Sequence, residues 1–173
     1  MSKFLAAVAA PTVALAAVAT MGVAAGAASA APAPSTDISC GSANPLPWAP
    51  PFTWRIHADS GESVPPGGST LQPSLLLSGG NELPRPQGFS FGPNWYGTQV
   101  LVDWRNETTG ASGRSVSDQE AWAQAPGIPV NRTFTGVGTV SFTVTVQTGA
   151  GWWFVNTQNA ICKGEISVVP GRG

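Results

Sequence analysis

The sequence predicts an all-β domain, an antiparallel sandwich of about seven to eight short strands with a small β-barrel as the alternative. Three observations predict it. Apolar residues recur with period two over several stretches, turn signals separate those stretches at short intervals, and 21 glycines with 16 prolines leave little room for long helices.

The first thirty residues stand apart. They carry Lys3, a long Ala/Val/Leu run and the small-residue end Ala28-Ser29-Ala30, which is the pattern of a cleaved secretory signal peptide. The expected organisation is a leader over 1–30, a flexible Ala/Pro-rich segment over 31–39, one domain over 40–169 and a tail over 170–173. The mature chain is then expected to be secreted, extracellular or wall-associated, with no integral membrane segment. The Ala-rich leader resembles those of exported bacterial proteins.

The clearest strand is Val137 to Gln147, where Val140, Phe142, Val144 and Val146 alternate with Ser141, Thr143, Thr145 and Gln147. Strict alternation with β-branched residues on both faces reads as a strand with one buried and one wet side. The same logic places Phe52, Trp54, Ile56 and Ala58 inward and Thr53, Arg55, His57 and Asp59 outward. Val100, Val102 and Trp104 form a third inward set. Leu71 to Ser78 is a fourth candidate, with Pro73 suggesting an edge or a bulge.

TTGASG at 108 to 113 is read as the turn into a short return strand at Arg114 to Ser117. TGAG at 148 to 151 is read as the turn into a strand over GWWFVN, and a last strand is expected at Ile161 to Val169. Ser115 to Gly127 is the one stretch expected to form a helical turn, capped by Ser117 or Asp118 and stopped by Pro126.

The chain has two cysteines, Cys40 and Cys162. In an exported protein such a pair reads as a disulfide, and closing so long a loop stabilises the fold by roughly 4–5 kcal/mol. The strand count and the cross-link resemble an immunoglobulin-like sandwich in pattern. Two antibody hallmarks are missing, since the disulfide joins the chain ends and no tyrosine lies two residues before Cys162.

Charge bounds the partners. Nine acids remain after the leader while one of the eight basic residues leaves with Lys3, so nucleic acid and anionic membranes are not expected as electrostatic partners. No cofactor and no metal site are expected, because the chain has one histidine and lacks HExxH, GxSxG, P-loop and dinucleotide motifs. His57 is read as part of a solvated charge cluster. Asp59 lies two residues on, roughly 7 Å away, too far for a direct bond without rotamer help. Asp118 with Glu120, or Asp103 with Glu107, are the closest carboxylate pairs for a hydrolase. Asn106 and Asn131 match the N-glycosylation pattern, and neither is expected to carry a glycan.

Seven tryptophans against one tyrosine are the unusual feature. Trp54 and Trp104 are assigned to the core. Trp95, Tyr96, Trp122, Trp152 and Trp153 are the candidate ligand-binding residues. Two arrangements are open for Gly88 to Gly97, whose four aromatics either form a platform for a ligand or fold down as a flap over the core. The flap is the first expectation, because a small sandwich buries too little apolar surface without help. The expected role is a non-enzymatic binding module whose ligand is a cell-wall glycan, a lipid or a protein. A small secreted hydrolase is the first alternative, and a structural or inhibitory protein presenting loops to a protein target is the second.

Overall fold

A computed structural model describes residues 33–82, 96–117, 121–123, 127–151 and 154–171. Among them the chain is all-β, with no helix and two antiparallel sheets. The first sheet has the order β1-β2-β3-β7, formed by Ser35–Ser42, Phe52–Ser63, Gln72–Asn81 and Gly127–Thr133. The second has the order β5-β4-β8-β9, formed by Ser112–Val116, Tyr96–Asn106, Gly138–Ala150 and Val155–Val168. The short β6, Ala121–Ala123, also pairs with β4.

Alternation is what makes the core. On β2 the side chains of Phe52, Trp54, Ile56 and Ala58 are buried, and β8 does the same with Val140, Phe142, Val144 and Val146. Val100 and Val102 of β4 and Cys162, Ile166 and Val168 of β9 complete the inner face of the second sheet. That face is mainly valine, so the larger side chains of the first sheet fill the gap. Trp54 lies fully buried with its indole nitrogen donating to Ser42 Oγ at 3.2 Å. Phe52 meets Trp54 and Tyr96 edge to face, with ring centroids 5.6 and 5.2 Å apart. Trp104 is half-buried and packs against the same core. Its ring lies over Gly113, where a Cβ would come within 2.9 Å of it.

Four details differ from the sequence expectations. β1 begins at Ser35, inside the segment expected to be flexible, because its backbone completes a ladder with β2 from Ser35↔Asp59 to Ser42↔Phe52. Ala121–Ala123 is a strand rather than a helical turn, since the edge of β4 offers it a ladder at Tyr96 to Thr98. β3 is internal, paired with both β2 and β7. Pro73 sits beyond the residues that pair with β7, so its missing N–H costs that ladder nothing. The irregularity lies instead between Leu77 and Gly79, where a Cβ on Gly79 would clash with the Arg55 carbonyl oxygen. Finally, β8 extends to Ala150, which pairs with Val155, so the chain reverses between them and GWWFVN is not one strand.

Cys40 and Cys162 are bonded, with Cα atoms 5.3 Å apart. Cys40 lies on β1, an edge of the first sheet, and Cys162 on β9, an edge of the second. The bond therefore staples the two sheets along one side. At one end of the core Asn106 does comparable work without a covalent bond. Its buried amide donates to the carbonyls of Thr135 and Val137, both at 3.0 Å, and accepts from the N–H groups of Thr108 and Thr109 at 3.0 and 3.1 Å. Asn131 is buried too, accepting from Thr133 Oγ1 at 2.8 Å. Both asparagines of the glycosylation patterns are thus buried in the fold.

Replacing both cysteines by serine should lower unfolding free energy by roughly 4–5 kcal/mol, because the unfolded chain regains the entropy of a 122-residue closure. Urea midpoints of the oxidised protein and the double variant measure this; equal midpoints would show that the staple does not constrain the unfolded chain.

Candidate functional site

The segment Ala43 to Pro51, sequence ANPLPWAPP, joins β1 to β2. Four prolines fix φ at their positions and remove backbone donors, so the segment cannot extend either strand. It is held from below by Asn44, which is buried. The Asn44 amide nitrogen donates to the Pro50 carbonyl at 2.9 Å, closing the loop across its base. Its Oδ1 accepts from Leu46 N–H at 2.9 Å and from the Tyr96 hydroxyl at 3.2 Å. A second tie comes from β9, where the Asn156 amide donates to the Pro45 carbonyl at 2.6 Å. Asn156 has a φ of 52°, a left-handed conformation that asparagine tolerates.

The loop so fixed carries Trp48, which is 81% exposed. It is the most exposed large apolar side chain among the described residues, and it stands on an anchored backbone. Val155, also exposed, precedes the asparagine that ties β9 to the loop. Trp48 was not among the residues that the sequence singled out. The signal for it was present in the flanking Pro45, Pro47, Pro50 and Pro51, since a tryptophan between prolines has no pleat to place it against a core.

The five expected ligand residues fare differently. Tyr96 is corrected: its ring is 5% exposed, stacked edge to face on Phe52, and its hydroxyl is bound to Asn44. Inward orientation follows from parity, because Tyr96 shares a face of β4 with Thr98, Val100 and Val102. The ring supports the Trp48 loop from inside and is unavailable for stacking a ligand. Trp122 occupies β6 opposite Gly97, and its side chain lies outside the described set. Trp95, Trp152 and Trp153 lie outside the described residues, as does Gly88 to Trp95 of the aromatic stretch.

The charged candidates are engaged with one another. His57 Nδ1 is 2.7 Å from Asp37 Oδ1 and Nε2 is 3.0 Å from Asp59 Oδ1. The contact with Asp59 is made through the side-chain rotamers that its spacing from His57 requires, and both side chains stay partly exposed. With a carboxylate on each nitrogen, the imidazole has no free nitrogen to take a proton from a nucleophile. Asp37 and then Asp59 raise its pKa above the ordinary value by stabilising the charged ring. Asp103 is held in a two-point pair by Arg114 at 2.6 and 2.9 Å, which lowers the Asp103 pKa. Glu107 accepts from Ser141 Oγ at 2.7 Å and pairs with Arg105 at 3.2 Å. Asp118 and Glu120 lie outside the described residues. Among the described residues no group of three His, Cys, Asp or Glu side chains could hold a metal ion.

The raised His57 pKa fixes the sign of a pH effect. The contribution is fully present below the unfolded-state value of about 6.5 and is lost as pH rises through the higher folded value. The melting-temperature advantage of the wild type over His57→Gln should therefore shrink as pH is raised from about 5.5 to about 9. An advantage that grows over that interval would contradict the two-carboxylate clamp.

No known protein family, no curated protein and no solved structure matches the chain.

Proposed function

We propose that the chain is an exported, non-enzymatic binding module, an immunoglobulin-like sandwich variant in which β3 intervenes between β2 and β7. Trp48 is its principal ligand contact. The observation that carries this reading is a tryptophan left 81% exposed on a loop anchored by Asn44, Tyr96 and Asn156. Exposing an indole forgoes roughly 2–3 kcal/mol of burial, and fixing its backbone in advance removes ordering cost from any later contact. The leader, the disulfide and the scarcity of charge support export and a neutral ligand. The engagement of Asp103, Glu107 and His57 in surface pairs supports a binding role over hydrolysis.

The ligand class that fits is a neutral ring with an apolar face, and a cell-wall glycan has it. An aromatic ring offers a sugar its flat face without any demand for charge. Lipid and protein ligands are the competing outcomes.

Trp48→Ala should abolish retention on insoluble cell-wall glycan while changing the unfolding free energy by less than about 0.5 kcal/mol, as for other exposed sites. Co-sedimentation with the glycan and urea denaturation measure the two quantities. Wild-type protein that is not retained, or a variant retained equally well, would sink the glycan reading. Retention on vesicles instead would assign the site to lipid.

A further inference from the structure

The open edge of β9 is unlike the other sheet edges. Natural sheets protect their edges with short strands, prolines, bulges or charge, because an unpaired strand templates another. Beside β4 the edge is broken into the short β5 and β6, β7 carries Pro129, and β1 runs only from Ser35 to Ser42. β9 runs from Val155 to Val168 with no proline. From Gln158 to Val168 its ladder to β8 has no register shift. Among the described residues β9 pairs with β8 alone, and the disulfide at Cys162 holds it in place.

Its outward face carries Ile161, which is 61% exposed, followed by Lys163 and Glu165. Both charges are exposed, and neither takes part in an ion pair among the described residues. Their cross-strand neighbours on β8 are Thr143 and Ser141, which bring no opposite charge. Two opposite charges two residues apart on one face of an edge strand are self-complementary under a twofold axis between them. Gly164 marks that axis.

We propose that β9 pairs antiparallel with β9 of a second copy about Gly164, joining the two second sheets into one continuous sheet. In this register Lys163 faces the partner's Glu165, and Glu165 faces the partner's Lys163. Ladder pairing then runs from Ala160 to Val168 on each strand. Registers centred on Lys163 or on Glu165 oppose like charges, so the two side chains select the register as well as stabilising it. The dimer leaves the β1–β2 loop of each copy to its own ligand and does not depend on the reading of Trp48.

Sedimentation velocity of the oxidised protein over a concentration series tests this, with Lys163→Glu, Glu165→Lys and the double reversal. The wild type should dimerise reversibly. Each single reversal should raise the dimer Kd roughly tenfold or more, and the double reversal should restore it. Raising salt to about 1 M should weaken the wild-type dimer. Circular dichroism confirms folding of the variants, whose substituted side chains are exposed. A wild type that stays monomeric up to about 100 μM overturns the proposal, whatever else the edge binds. So does a dimer indifferent to the single reversals, or one that the double reversal fails to restore.

Discussion

The structure depends on holding two sheets face to face over a core too small to be secure on apolar burial alone. A domain of this size buries a modest fraction of its surface, and one of its two inner faces is built largely from valine. Two features answer that constraint. Phe52, Trp54 and Tyr96 fill the space that the valines of β4 and β8 leave, and the Cys40–Cys162 bond fixes the separation where β1 meets β9. The aromatic side chains set the thickness of the core, and the staple keeps its edge closed.

Once the sheets are fixed, the ends of the sandwich are organised by asparagine. Asn106 satisfies two carbonyls and two N–H groups that would otherwise be stranded where the β4–β5 turn meets the chain leading into β8. Asn44 and Asn156 do the corresponding work at the loop between β1 and β2. A proline-rich loop is short of backbone donors, so beyond the Ala49 N–H to Leu46 carbonyl bond its carbonyls are met by amide side chains, Asn44 from within the loop and Asn156 from β9. That arrangement links the fold to the candidate site: the buried Phe52–Tyr96 pair positions Asn44, Asn44 closes the loop, and the loop holds Trp48 in solvent.

Much of this was legible in the sequence. The alternation in Val140 to Gln147 and in Phe52 to Asp59 identifies the two central buried strands, because period two has no other regular interpretation. The cysteine pair reads directly as a disulfide. β1 and β7 were harder, since STDISCGS has a single large apolar residue and GIPVNRT is interrupted by Pro129. Such segments become strands because a neighbour offers a ladder, which local pattern does not encode. The same reason turned Ala121–Ala123 from an expected helical turn into β6.

The candidate site was read less well, and the cause is physical. Tyr96 and Trp48 are both aromatic residues outside a clear alternation, and composition treats them alike. Parity along β4 sends Tyr96 inward once the strand start is known. Proline spacing keeps Trp48 out of any strand, but nothing local says that Asn44 closes the loop from within or that Tyr96 and Asn156, distant in sequence, tie it to the scaffold. His57 likewise reaches Asp37 only because β1 lies beside β2.

The central claim is that the scaffold holds Trp48 both exposed and rigid. Time-resolved fluorescence of the wild type, with the signal of Trp48→Phe subtracted, isolates that one indole. The account predicts red-shifted, readily quenched emission whose anisotropy decays only with tumbling of the whole domain. A blue-shifted component would contradict exposure. A dominant sub-nanosecond depolarisation would show a loop that Asn44 and Asn156 do not anchor.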